Sequence, residues 1–470
     1  MIKKKKHLEM PHVLFVLMVI MLFVTILSYI VPSGEFVRST DAQGNEVVDP
    51  DQFNFIEQAD NISLFDFFTA IYNGFVEGST VIAALFISCG MIRVIEDTGS
   101  FGAGITKILE AGANNKRIKL SVIILFYVAF AIMGILGFGE ASYPFFGITT
   151  ATIMAVGYDR LSAIATIMMG SCAGFASGML NMYTTGISQN IVGLPIFSGI
   201  EYRFICFLVF FTVGLISVLL YCRMITKNPE KSYVSDEYLR QLKGEVKIEG
   251  VAKRTKMNGK HIFALALFII FLVIQGYCCA KKGWGLEQVA ALDLIYVVVI
   301  TIVFRMKPST VCESMVNGAK EVLTAGLVIG MARSVMILLD QAQIVDTLVY
   351  YMSSFLDGKS ISLTILLILI FVTCLNFFVD SGSGKAVMMM PIMSPLGKIL
   401  GINQQVMVLT YQFGDGFTDY LWPAGALVSC SLCKIDYGVW VRFAWKALGA
   451  ELIVAYFMIL IANAINLGPF

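Results

Sequence analysis

Four carboxylates stand where an otherwise apolar chain is interrupted: Glu140, Asp380, Asp415 and Asp419. A charge near the centre of a bilayer costs about 2.5 to 3.5 kcal/mol even on a lenient insertion scale, so each of them needs a partner or a use. They can cap helix ends or pair with Lys385 or with one another; they can also bind a coupling Na⁺, exchange H⁺ or meet a substrate ammonium. The acids outnumber Lys385 among the residues of these breaks, which brings proton coupling within reach. Beside them lie the groups that would hold a substrate. Ser381, Gly382, Ser383 and Gly384 offer hydroxyls and closely approachable backbone, and a helix starting just after them would favour an anionic group. Ser142, Ser177, Asn181, Thr184 and Thr185 are the weaker equivalents in the first half. Ser and Thr in apolar helices also bond their own backbone, so the first-half set has a purely structural reading as well.

The elements that must position these groups are apolar helices. Asp380-Ser381-Gly382-Ser383-Gly384-Lys385 separates an apolar run, Ile361 to Val379, from another, Ala386 to Leu400. A second break is expected at Gly414-Asp415-Gly416-Phe417-Thr418-Asp419, closed by Trp422-Pro423-Ala424-Gly425, and first-half breaks at Gly137 to Ser142, Gly174 to Gly178 and Asn181 to Gly186. Backbone that leaves the helix at membrane depth is tolerated only where protein or a water-filled cavity satisfies it. Clustered breaks therefore predict a polar cavity, as in carriers built from discontinuous helices. Trp422 and Tyr420 read as packing, with stacking on a substrate as the alternative, and Arg93 and Arg333, near span ends or interfaces, read as structural with substrate binding as the alternative.

Composition sets the class. Of 470 residues, 57% are hydrophobic and 14% charged, and the mean hydropathy is +0.78. A soluble domain carries roughly 25% charged residues, so the chain reads as a polytopic α-helical membrane protein. The net charge of +1 gives no reason to expect a nucleic-acid partner. Most of the 10 cysteines sit inside apolar runs, and Cys430-Ser431-Leu432-Cys433 lacks a second pair or a nearby His, so they read as packing and no metal site is expected beyond a Na⁺. No cofactor is implied other than a coupling Na⁺ or H⁺.

Lys3 to Lys6 precede an apolar stretch, Met10 to Val31, long enough to span the membrane, which places the N-terminus in the cytoplasm. The acid-rich stretch from Pro32 to Ile62 reads as an outer loop, and the turn Asn114 to Lys119 as an inner one. The basic segment Arg223 to Lys260 is the long hydrophilic linker between two halves, on the cytoplasmic side. Those halves repeat: Asn73-Gly74 and Asn317-Gly318, Gly90-Met91 and Gly330-Met331, Gly157 and Gly401, Gly174-Phe175 and Gly416-Phe417 recur in order, 240 to 244 residues apart. The first unit follows an outer loop and the second follows Arg305-Met306-Lys307, an inner one, so the repeats are inverted.

Several stretches resemble the YfcC and C4-dicarboxylate anaerobic carrier family. They are SGSGKAVMMMPIMSPLG (Ser381 to Gly397), QFGDGFTDYLWPAG (Gln412 to Gly425), GYDRLSAIA (Gly157 to Ala165), SQNIVGLPIFSGIEYR (Ser188 to Arg203) and the opening from Met10 to Arg38. The likeness covers essentially the whole chain. It implies the ion-transporter superfamily fold, a homodimer, and a hairpin tip at Ser381 to Gly384 that meets substrate or ion. Members are assigned to C4-dicarboxylates, to arginine/ornithine exchange or to basic amino acids. The chain departs from the pattern at Asp380, where Pro is frequent, at Asp419, where Asn is usual, at Trp422-Pro423-Ala424 in place of a Pro-Thr pair, and at Asn181-Met182 in place of Asn-Pro. Two extra carboxylates tilt the expectation from a dianion toward an amino acid.

The expected fold is thus an all-α polytopic membrane protein of about 10 to 12 membrane segments, with two inverted repeats, re-entrant hairpins and broken helices. It divides into residues 1–63 (first helix and outer loop), 64–222 (first repeat), 223–260 (cytoplasmic linker), 261–305 (connecting helices) and 306–470 (second repeat). The expected activity is secondary transport across a bacterial inner membrane of a small carboxylate-bearing metabolite, by symport or antiport, with no enzymatic step. A C4-dicarboxylate is the alternative substrate, and a passive channel an alternative mode. From another class, Tyr158-Asp159, Gly414-Asp415 and Pro423-Ala424 echo the YD, GxGD and PAL motifs of intramembrane aspartyl proteases, although Gln412 breaks the second of these.

Overall fold

The computed structural model describes residues 12–40, 46–56, 62–112, 116–246, 256–282, 284–356, 358–379 and 381–468. Lys3 to Lys6, Asn114, Asn115 and Asp380 lie outside these residues.

The chain opens with α1 (Val13–Leu27) and the strands β1 (Gly34–Thr40) and β2 (Glu46–Phe55). A first unit follows: α2 (Leu64–Glu77), α3 (Ser79–Asp97), α4 (Ser100–Gly112), α5 (Lys116–Ile135), α6 (Phe145–Ala155), α7 (Arg160–Ser177), α8 (Ile187–Ile191) and α9 (Ile200–Lys227). After α10 (Ser235–Leu242), α11 (Gly259–Lys282) and α12 (Leu286–Phe304) comes the second unit. It comprises α13 (Pro308–Glu321), α14 (Leu323–Ala342), α15 (Val345–Leu356), α16 (Ile361–Leu375), α17 (Gly382–Ile399), α18 (Gln404–Thr418), α19 (Pro423–Leu432) and α20 (Tyr437–Ala464).

The two units run in parallel, element for element. The first two helices of each are 14 and 19 residues against 14 and 20, and each unit ends on a 28-residue helix. The repeated glycines meet crosswise. A Cβ on Gly74 of α2 would overlap the Gly330 carbonyl of α14, and one on Gly318 of α13 would come 2.7 Å from the Gly90 Cα of α3. Each repeated dipeptide thus supplies half of a helix crossing whose other half is the repeat of its neighbour, as a two-fold axis between the units would produce. Small residues at such crossings let backbones approach and pack where lipid supplies no hydrophobic drive between helices.

Burial sorts the helices into centre and rim. Nearly every residue of α7 and of α18 is buried, so these two form the middle of the molecule. Helices α9 and α20 expose Phe204, Leu208, Ile216, Leu220, Ile453, Phe457 and Ile461, the apolar stripe of a lipid-facing surface. Among the described residues, seven helices are long and apolar enough to cross a membrane by themselves, including α3, α5, α9, α12, α14 and α20. The protein is a multi-pass membrane protein, nearly all helical.

The acid-rich stretch expected as an outer loop is in part a β-hairpin. Strand β1 pairs antiparallel with β2, Gly34 opposite Phe55, with an irregularity between Phe36 and Arg38. It latches onto the second unit: Arg38 pairs with Asp346 at 2.6 Å, the Phe36 amide donates to the same carboxylate at 3.1 Å, and Phe53 stacks on Tyr350 at 4.3 Å. At the other end, the linker after α9 docks on the start of α7. Asp159 accepts from Tyr221 (2.6 Å), Ser232 (2.5 Å) and Ser162, while Arg160 pairs with Glu237 at 2.8 Å.

The breaks in the second unit lie a few residues from where composition puts them. Helix α16 ends at Leu375, turns occupy Asn376 to Phe378, and Ser381 is already the N-cap of α17, accepting from the Gly384 amide at 3.1 Å. Gly382-Ser383-Gly384-Lys385 is therefore the first turn of a helix. Likewise Gly414-Asp415-Gly416-Phe417-Thr418 is helical to the end of α18, and the break is Asp419 to Trp422. In the first unit α7 runs through Gly174 to Ser177 and stops at Gly178, whose φ of 62° suits glycine. Asn181 then caps a π-turn from Met182 to Gly186.

Candidate functional site

The breaks of the two units converge on one cavity of about 420 Å³. The first unit contributes Gly137 to Tyr143, Phe175, Tyr183 and Thr184; the second contributes Arg333, Ser381, Gly382, Ser383, Asp419 and Tyr420; the start of α12 supplies Leu286 and Val289. A volume of a few hundred Å³ with a small number of convergent polar groups is the usual form of a small-molecule site.

Its polar groups have both signs. Glu140 opens a one-turn 3₁₀ helix after Gly139 and pairs with Arg333 of α14 at 3.3 Å. Asp419 accepts from the Asn376 side chain at 2.6 Å, and the Lys385 ammonium lies 3.9 Å away. Ser381 and Ser383 stand at the N-terminus of α17, their hydroxyls 3.4 Å apart, where the first amides of an 18-residue helix carry a partial positive charge. Thr184 adds a buried hydroxyl with no hydrogen-bond partner. A buried polar atom left unpaired costs free energy, so this hydroxyl is available to a ligand.

Of the candidate residues picked out from sequence, Glu140, Asp419, Ser142, Thr184, Ser381, Gly382 and Ser383 line the cavity. The Ser142 hydroxyl donates to the Gly139 carbonyl at 2.6 Å, which holds the first break in shape. Asn181, Thr185, Gly384 and Asp415 are not in the wall. Asn181 caps the π-turn through its Oδ1, accepting from the Tyr183 and Thr184 amides. Thr185 donates to Gln412 of α18 at 2.9 Å and so ties the units together behind the cavity. Asp415 is fully buried and paired with the equally buried Lys385 at 2.6 Å. Trp422 packs, its indole N–H donating to the Thr373 carbonyl at 2.6 Å, whereas Tyr420 faces the cavity.

Sequence reasoning missed three features. Arg333, for which the sequence left a structural role and substrate binding both open, is the cationic part of the cavity wall. Its repeat counterpart Arg93 pairs with Glu321 at 2.8 Å beside a second cavity of about 140 Å³, and Tyr143 lines both cavities. Arg203 is fully buried, giving one N–H to Gln405 at 3.1 Å and another to the Ser177 carbonyl at 3.5 Å, where it closes the C-terminal end of α7. Gln405 and Gln412, seven residues apart, fall on one helix face. That spacing in an apolar helix was the available signal for a polar contact between the units.

The protease constellation is not assembled. Asp159 caps the start of α7, whereas Asp415 precedes Gly416, which packs on Ala176 near the other end. At 1.5 Å rise per residue the two aspartates are roughly 20 Å or more apart, so they cannot form a dyad.

The chain is similar to known proteins. A "Putative basic amino acid antiporter YfcC" of Escherichia coli K12 is 25% identical over 96% of each chain, and a Haemophilus influenzae protein of unassigned function is 26% identical over 98% of each. Among solved structures, the Alcanivorax borkumensis YdaH transporter is similar at 13% identity with a TM-score of 0.43, over 98% of this chain and 100% of that one. The model of the family described as C4-dicarboxylate anaerobic carrier matches residues 10–464, nearly the whole length, and the chain belongs to that family of transporters, DcuC.

Proposed function

We propose that the chain is a secondary active transporter of the bacterial inner membrane, N-terminus in the cytoplasm, that exchanges a small amino acid across the membrane, a basic one such as arginine or ornithine. The observation that carries this reading is the mixed charge of the cavity. The α17 N-terminus with Ser381 and Ser383 suits a carboxylate, and Glu140 and Asp419 suit one or two ammonium or guanidinium groups. Two further features support alternating access: the wall is drawn from both units, and Tyr143 stands between the main cavity and the smaller one beside Arg93. The name of the E. coli relative points the same way. Assembly as a homodimer belongs to the same proposal.

A C4-dicarboxylate is the second reading, favoured by Arg333 and by the family description. Counterflow in proteoliposomes separates the two, with arginine, ornithine, lysine, a neutral amino acid, fumarate and succinate each preloaded. Basic amino acids are expected to exchange; exchange of fumarate and succinate alone selects the second reading, and exchange of none of them removes both. Glu140→Gln sharpens the test because it removes an anion and releases Arg333 together. Hydrogen bonds to charged groups are worth about 1.5–3 kcal/mol, so exchange of basic amino acids relative to dicarboxylates should fall by roughly tenfold or more. An unchanged preference would mean that Glu140 does not meet the substrate.

A further inference from the structure

Among the described residues, five carboxylates are buried: Asp159, Asp293, Asp346, Asp415 and Glu451. Four are compensated. Asp159 accepts from three hydroxyls and an amide, Asp293 from Ser88 and from Gln275 at 2.7 Å, Asp346 from Arg38 and the Phe36 amide, and Asp415 has the Lys385 ammonium. Glu451 has none of this. Midway along α20 and fully buried, it meets the Cys172 thiol at 3.8 Å through Oε2, while Oε1 has no hydrogen-bond partner. No lysine, arginine or histidine lies within 4 Å of it among the described residues.

The surroundings offer no charge to balance it. Tyr127 of α5 crowds it across Gly214 of α9 and gives its own hydroxyl proton to the Phe211 or Met169 carbonyl. Helix α7 brings Cys172, and α16 and α19 have no charged residue in their sequences. Helix α18 brings the Gly416 carbonyl and, next to it, the Asp415 already held by Lys385. A bare carboxylate is not tolerated in such a place, whereas a neutral carboxylic acid is.

We propose that Glu451 is the proton-binding residue of this carrier, holding a proton in the arrangement seen here and releasing it when the two units move. The proposal rests on the transporter reading and adds that the coupling ion is H⁺. Its position explains how a proton could bias the transport cycle. The Cys172 thiol touches both Glu451 and the Gly416 carbonyl, and α7 and α18 continue from this contact into Phe175, Asp419 and Tyr420 of the cavity wall. With the acid neutral the three helices close around it. With the proton gone, the carboxylate needs water or a donor that this packing denies, so ionisation favours separation of α20 from α7 and α18. The proton taken up from one side is given to whichever side then gains access.

The test uses the full-length protein in proteoliposomes and compares substrate accumulation with and without an imposed pH gradient. In the parent the ratio should exceed unity; in Glu451→Gln, which mimics the neutral acid, it should fall to unity; Glu451→Asp should keep a ratio above unity with a displaced pH dependence. A parent-like ratio in Glu451→Gln overturns the proposal. Infrared difference spectra of parent against Glu451→Gln provide an arm independent of transport: at neutral pH the parent should show a carboxylic-acid C=O band missing from the variant. Absence of that band in the parent also overturns it. Failure of the parent to exchange any substrate would overturn the transporter reading instead, and the infrared result would still decide the protonation of Glu451.

Discussion

Lys385→Met is expected to abolish exchange and to destabilise the protein by about 3–5 kcal/mol, the range for stripping one partner from a buried ion pair. Lys385 and Asp415 are both fully buried and 2.6 Å apart, so the single substitution leaves the Asp415 carboxylate in an apolar interior with its cation gone. Lys385→Met with Asp415→Asn removes both charges and should recover most of the folded yield and thermal midpoint, read by size-exclusion of heated detergent extracts. Exchange should stay absent in the double variant, because the same ammonium stands 3.9 Å from Asp419 in the cavity wall. Two results would sink this account: a single variant as stable as the parent, or a double variant that transports normally, which would make the pair purely structural.

The same pair illustrates what the sequence could and could not convey. Gly414-Asp415-Gly416 reads as a break because glycine and a charge do not belong in a lipid-facing helix. In the fold the segment is helical because it is not lipid-facing. Its charge is met by a lysine from another element, and Gly416 is small because it packs on Ala176. No local property of α18 carries that information. A similar ambiguity displaced the break at Ser381, since a Ser-Gly-Ser-Gly run suits both a loop and an N-cap with the free amides of a first helical turn. The order of the breaks was nevertheless legible, because a chain that leaves the helix at membrane depth must leave polar residues behind; their number was not, since Gly174 to Ser177 continues α7. The helical membrane architecture was legible for the same reason, since few compositions satisfy a bilayer, whereas the family was legible only through the likeness of stretches such as Ser381 to Gly397 and Gln412 to Gly425.

Glu451 could have been found and was not. An acid in the middle of a 28-residue apolar helix is as costly as those at the breaks. It drew no attention because a single glycine, Gly449, is the nearest helix breaker and no polar run interrupts the helix there, and because Lys446 and Arg442 precede it on the same element. The strands β1 and β2 were hidden differently. Their acidic residues suggested a solvated loop, and the partners that fix the hairpin, Asp346 and Tyr350, are some 300 residues away.

Helix crossings give the other large expected effect. A Cβ on Gly174 would overlap the Ala131 carbonyl and lie 2.6 Å from the Ile135 amide nitrogen, and one on Gly416 would lie 2.6 Å from the Ala176 Cα. In each case the obstacle is backbone, which cannot swing aside as a flexible side chain can. Overpacking of a tight interior costs about 1–3 kcal/mol and more where nothing can yield, so Gly174→Leu and Gly416→Leu should leave little folded protein in the membrane fraction. Gly449, in α20, supplies the control. A Cβ there meets nothing within 4 Å, and Ala in place of Gly favours a helix by roughly 1 kcal/mol. Gly449→Ala should therefore match or exceed the parent in thermal midpoint, measured by the same size-exclusion assay. If all three substitutions were equally tolerated, α5 and α18 would not approach α7 as closely as the structure has them. The site would then lose its frame, since α7 and α18 lead into the same stretch of cavity wall, where the Phe175 and Tyr420 rings meet edge to face with centroids 6.4 Å apart.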